Sequence, residues 1–123
     1  ATTLSVADKK GNYIGGVILP GLRVSLNSLS GKTAQLPYIS LEVPNKVIGK
    51  NTIDCMRAGI VFSNVDMIDG ILDRMEKELG ETPTVIATGG LARFITPLCR
   101  HEIIFDDALL LKGLLILYRK NTQ

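Results

Sequence analysis

The sequence has little with which to build a metal centre or a disulfide framework. It holds two cysteines, Cys55 and Cys99, far apart and without a CxxC spacing, and a single histidine, His101. A structural zinc site or a disulfide scaffold calls for more ligands at tighter spacing. The expectation is therefore two buried, reduced thiols, as in a cytoplasmic protein, and no metal held by this chain. A Ser/His/Asp arrangement is also missing, because His101 has no evident partner along the sequence.

No block of five or more basic residues occurs, and fourteen basic against twelve acidic residues leave a net charge of +2. Nothing in that balance announces a polybasic membrane anchor or a nucleic-acid surface. The longest apolar run, Ala108 to Tyr118, is broken by Lys112 and Gly113 and is too short to cross a bilayer. No signal peptide, internal repeat or low-complexity linker is visible in these residues. The first residue is Ala1 rather than methionine, which marks the chain as processed or as a fragment. What is there is 123 residues, 46% apolar and 21% charged, the size and composition of one domain around one core.

Thr2 to Asp8 reads as a strand, Lys9 to Asn12 as a turn and Tyr13 to Leu19 as a second strand, a hairpin closed by Pro20-Gly21. Leu22, Leu26 and Leu29 recur at helical spacing through Ser30, with Gly31 as the stop. Tyr38 to Val43 alternates like a third strand, ended by Pro44. Asn51 or Thr52 can cap a long helix, with Asp54 as the acidic partner of a capping box. Met67, Ile71 and Met75 form one apolar row of that helix and Ile68 with Leu72 another, while Asp69, Asp73, Glu76 and Lys77 take other faces. Gly80 ends it. Gly59 and Gly70 inside it leave two helices or one closely packed helix as alternatives. Thr84 to Ala87 is a short buried strand, Leu91 to Leu98 a helix, Glu102 to Phe105 a strand and Leu109 to Tyr118 a final helix. The order predicts an α/β layered domain with a mixed sheet.

Ser30-Gly31-Lys32-Thr33 ends like a P-loop, but Leu26 stands where that motif needs its first glycine, and a helix rather than a strand precedes it. It is a helix stop. Thr88-Gly89-Gly90 lies between a strand and a helix, where glycines let a ligand reach the backbone; a tight turn with positive φ is the equal alternative. Gly15-Gly16 inside a strand marks a bulge or a close backbone approach. Gly49-Lys50-Asn51-Thr52 reads as an N-cap preceded by glycine, at a helix start that can also hold a carboxylate or phosphate. Asp106-Asp107 reads as a solvated turn. These residues alone describe an α/β domain with glycine turns suited to a nucleotide or small polar ligand.

Taken in order, the same segments resemble the type III pantothenate kinases of the actin-like ATPase superfamily. The resemblance runs through Thr2-Thr3, Gly15-Gly16-x-Ile18-x-Pro20-Gly21, Leu29, Thr33-Ala34 and Leu36-Pro37. It continues through Ile48-Gly49-Lys50-Asn51-Thr52, Ala58-Gly59-Ile60, Ala87-Thr88-Gly89-Gly90-Leu91-Ala92, Leu110-x-x-Gly113-Leu114 and Asn121. Each piece is weak alone; the ordered set is specific and spans nearly the whole chain. It implies a ribonuclease H-like mixed-sheet domain with flanking helices, residues 1–123 being the carboxyl-terminal half of a two-domain kinase. It implies phosphorylation of pantothenate by ATP with Mg2+ and a monovalent cation, potassium or ammonium, in a homodimer. Thr52, with Asn51 and Gly49 just before it, would bind pantothenate. Gly15 and Gly16 would lie near the dimer interface and substrate pocket, and Thr88, Gly89, Gly90 and Thr2 would border the nucleotide.

The family's D-x-G-N-T phosphate loop, its G-x-x-R-x-D segment with the general base, and the D-x-G-T preceding the counterpart of Ala1 are all absent from this sequence. The expectation is a chain without kinase activity on its own, and one made sticky by the surface a partner domain would cover. Ser63 stands where the family has a glycine and Asp66 where it has a small residue, which puts nucleotide affinity in question. The rival readings are a regulatory or dimerisation module of the Bvg accessory factor-like activator type, and a superfamily kinase for another small molecule.

Overall fold

The computed structural model describes residues 1–30 and 42–122. The helix stop at Gly31, the segment Lys32 to Pro37 and most of the expected third strand lie outside the described residues. Glu42 and Val43, its last two positions, are not in a strand.

Asp8 turns the chain between the first two strands. Its carboxylate accepts the Lys10 N–H at 2.9 Å, the Asn12 N–H at 2.8 Å and the Asn12 side-chain amide at 3.2 Å. The Asn12 backbone bond comes first among the causes that lower the Asp8 pKa. Gly11 takes φ +81°, a conformation that favours glycine. The strands β1 (Thr2–Ala7) and β2 (Tyr13–Leu19) pair antiparallel with Thr2 opposite Leu19. Leu4, Val6, Val17 and Leu19 are half-buried, whereas Thr3, Ser5 and Ile18 are exposed, Ile18 at 76%. Both expectations for Gly15-Gly16 are met. The register shifts between Val6 and Ala7, opposite Gly15 with φ +135°. A Cβ on Gly16 would run into the Leu4 carbonyl oxygen.

The chain divides into two compact units, Ala1–Asn64 and Val65–Gln123. In the first, α1 (Leu22–Ser30) and the start of α2 (Thr52–Leu79) supply the core: Leu22, Leu26, Met56, Ala58, Ile60 and Val61. Buried Asn64 is satisfied there. Its amide donates to the Ile60 carbonyl at 2.8 Å and to Ser25 Oγ at 3.3 Å, and Ser25 Oγ donates to the Gly21 carbonyl at 3.0 Å. Helix α2 is one continuous helix of 28 residues, which settles the alternative left by Gly59 and Gly70.

In the second unit, β3 (Ile86–Ala87) and β4 (Ile104–Phe105) pair in parallel. Parallel strands need a crossover. Here it is α3 (Gly90–Ile95) followed by a 3-10 turn, Thr96–Leu98. Val65, Leu72 and Ile95 are the buried apolar residues. The last helix, α4 (Leu109–Asn121), buries none of its residues.

The α/β composition is as expected. Among the described residues the strands form no single mixed sheet but two two-stranded ones, one antiparallel and one parallel. The expected buried strand Thr84 to Ala87 shrinks to two residues with Ile86 half exposed; among the described residues, Ile104 and Phe105 alone pair with it. The expected strand from Glu102 starts only at Ile104.

Candidate functional site

The first candidate place is the start of α2. Asn51 accepts the Asp54 N–H on Oδ1 at 2.9 Å, and its amide donates to Asp54 Oδ2 at 2.9 Å. Each side chain thus satisfies the other, and an orphan N–H of the first turn gains its acceptor. Asn51 is therefore engaged in capping. Gly49 lies close beneath: a Cβ there would meet the Cys55 nitrogen at 2.5 Å and the Asp54 carbonyl carbon at 2.7 Å, both backbone atoms. Cys55 Sγ donates to the Gly49 carbonyl at 3.4 Å. A hollow of about 430 Å³ adjoins this turn, with Lys46, Lys50 and Arg57 set against Glu42 and Asp54, and with Gly49 in its wall. Asn51 and Thr52 are not part of that lining, although Thr52 is exposed as the first residue of α2.

Elsewhere in that unit Thr2 sits opposite Leu19, and a Cβ on Gly21 would come within 2.9 Å of Thr2 Oγ1. The hairpin thus holds Thr2, Gly15 and Gly16 on one paired ribbon.

The second place is the turn after β3. Gly89 precedes α3 with φ 101° and ψ 151°, a backbone that a side chain would strain. Thr88, Gly89 and Gly90 are exposed, and open space lies beside both glycines. Positive φ and accessible backbone coexist here.

A third cluster was not anticipated. Asp69, Asp73 and Glu76 lie along α2 at successive spacings of four and three residues, the spacing of one helix face. They receive the dipeptide Arg100-His101. Asp69 accepts the Arg100 N–H at 2.7 Å and the His101 N–H at 3.1 Å. Asp73 binds the Arg100 guanidinium at 2.6 Å and His101 Nε2 at 2.7 Å, and His101 Nδ1 lies 3.4 Å from Glu76. The sequence reading that left His101 without partners is corrected: its partners are 28 and 25 residues away (101 − 73 and 101 − 76) and meet it only through the fold. The helical spacing of three carboxylates was the available signal.

The hydrogen bond from Arg100, followed by that from His101, holds the Asp73 carboxyl below its ordinary range, and Asp73 in turn raises Arg100. Ligand atoms of Asp73, Glu76 and His101 fall within 4.8 Å of one another. The guanidinium on Asp73 and the imidazole between two carboxylates make this an ion-pair cluster in chemistry.

Burial, followed by the charges of Asp69 and Asp66, pushes the Cys99 thiol up to about 11. Both thiols are free, but Cys55 is exposed and Cys99 only half-buried, which corrects the expectation of two buried thiols. Helix α2 leaves Cys55 on its outer side beside Gly49. Asp106 is likewise more than a solvated turn. It accepts the Ala108 N–H at 3.0 Å and the Lys112 ammonium at 2.7 Å, which lead the chain into α4, while Asp107 pairs with Arg93 at 3.0 Å.

Comparison with known proteins bears on these places. The family profile described as Type III pantothenate kinase matches residues 1–74. A protein of Syntrophus aciditrophicus named type III pantothenate kinase is 39% identical over 99% of this chain and 48% of its own length. Proteins of the same name from Citrifermentans bemidjiense and Bacillus cytotoxicus are 46% and 43% identical, each over 98% of this chain and 48% and 46% of their lengths. The chain spans about half the length of the curated relatives it matches. With more than half of its residues under the family profile and nearly all of them aligned to such relatives, the chain belongs to the type III pantothenate kinase family.

Proposed function

We propose that this chain is the carboxyl-terminal, ribonuclease H-like half of a cytoplasmic kinase that transfers the γ-phosphoryl group of ATP to pantothenate, the first step of coenzyme A synthesis. The observation that carries the reading is the alignment of 98–99% of the chain to relatives named for that activity. It takes in both the Gly49–Thr52 helix start and the Thr88–Gly90 turn.

Phosphoryl transfer is chiefly positioning and electrostatic stabilisation. The helix start with its adjoining hollow suits a small carboxylic acid: Lys46 and Lys50 offer charge, and Thr52 an exposed hydroxyl. The bare backbone at Gly89-Gly90, next to Thr88, suits the nucleotide; Thr2 of the hairpin is assigned to the nucleotide on the family resemblance alone. Gly15 and Gly16 belong to the surface through which the protein pairs with a second copy. A general base must reach the hydroxyl it deprotonates, and no residue of this sequence matches the family's aspartate. Magnesium and the monovalent cation favour oxygen ligands. The Asp73, Glu76 and His101 group, already taken by Arg100 and the imidazole, does not fit them. We assign the base and both cation sites to the other half, and no step of the transfer is routed through this chain's carboxylates.

In the complete protein, Thr52→Ala is expected to raise KM for pantothenate and leave KM for ATP unchanged, while Gly90→Val does the reverse. Steady-state kinetics with each substrate varied in turn checks both. Equal effects of either variant on the two substrates would remove the assignment.

A further inference from the structure

The Thr88–Gly90 turn has no side-chain cap of its own, and the strand before it is only two residues long. A pairing that short does not hold its register unaided. What fixes the turn is the segment that grips both of its flanks. On one side the Ile104 N–H donates to the Val85 carbonyl at 2.9 Å and the Asp106 N–H to the Ala87 carbonyl at 2.8 Å. On the other side Arg93 of α3 lies over the Phe105 ring, 4.9 Å from its centroid, and donates to Asp107. Residues 104–107 therefore hold the strand that enters the turn and the helix that leaves it.

That segment is anchored in turn just upstream. The N–H groups of Arg100 and His101 both end on the Asp69 carboxylate. Asp69 is only 7% exposed, whereas Asp73 is exposed. Charge-assisted bonds to a buried carboxylate are strong and directional, while ion pairs open to solvent contribute little. Asp69 thus sets the backbone path, and Asp73 with Glu76 only dresses it.

We propose that Asp69 is a positioning residue for nucleotide binding, acting through the Arg100-His101 backbone, β4 and β3 on the Thr88–Gly90 turn. This rests on the reading of that turn as the nucleotide site. The test uses the complete protein. Asp69→Asn keeps the volume and one acceptor but loses the charge. It is expected to raise KM for ATP by about tenfold, the loss of roughly one charge-assisted hydrogen bond. KM for pantothenate and kcat at saturating ATP stay unchanged, as does KM for ATP in Asp73→Asn. A second measurement needs no variant. By linkage, binding at the turn must tighten its anchor, so saturating ADP should slow amide exchange at Arg100 and His101 in the wild type.

The inference is overturned if KM for ATP holds in Asp69→Asn, if both substrates and kcat shift in step, or if ADP leaves those amides unprotected. Gly90→Val separates the failures. A raised KM for ATP there, with none in Asp69→Asn, sinks the positioning role alone; no change in either sinks the nucleotide reading as well.

Discussion

Asp73 lies between the Arg100 guanidinium and the His101 imidazole, and its acid titration reports these contacts. Its folded pKa is below the ordinary 3.8, first because of the hydrogen bond from Arg100 and then that from His101. A depressed carboxylate pKa gives stability that is complete above the unfolded value and lost as pH falls through the folded one. Asp73→Asn should therefore be less stable than wild type at neutral pH, with the gap closing once pH drops below about 3.8. Urea unfolding of both proteins across an acid series measures it. A gap that stays constant to the lowest pH contradicts the assignment. At this scale, what could be read from the sequence was what is local. The Asn51–Asp54 cap spans three residues and was legible. The clasp of Arg100-His101 on Asp69 and Asp73 joins residues 27 to 32 apart, and no spacing rule reaches across a helix and a crossover.

Among the elements, the glycines divide by what surrounds them. Gly59 lies inside α2 with nothing within 4 Å of a built Cβ, whereas Gly16 faces the Leu4 carbonyl oxygen. Alanine reduces the backbone freedom lost on folding, so Gly59→Ala should stabilise by about 0.5–1 kcal/mol. Gly16→Ala should destabilise by about 1–3 kcal/mol, the cost of overpacking against fixed backbone. Chemical denaturation gives both signs, and two changes of like sign would refute the geometry. The hairpin was readable because alternation and the Lys9–Asn12 turn with its glycine are local. The β3–β4 pair was not, since two-residue strands carry almost no pattern and their partnership spans residues 86 to 104. The long helix was readable as helix, but whether two glycines break it is decided by packing and not by periodicity.

For the molecule as a whole, α4 is the anomaly: Leu110, Leu111, Leu114, Ile116, Leu117 and Tyr118 are each more than half exposed. Contiguous apolar surface of this kind drives association in water. The 123-residue chain alone should self-associate as its concentration rises, and Leu114→Lys with Leu117→Lys should suppress it, as light scattering would record. A monomer at all concentrations would contradict that. Family membership was legible because an ordered set of short motifs survives along the chain even where each is weak. The division into two compact units was not, because α2 runs through the boundary without a break in sequence character.

The most direct test of the central claim is coupled measurement of ADP release, with and without pantothenate, by the complete protein and by this chain alone. Pantothenate-dependent turnover is expected from the complete protein and none from the chain. Turnover by the chain alone, or a complete protein indifferent to pantothenate, would contradict it.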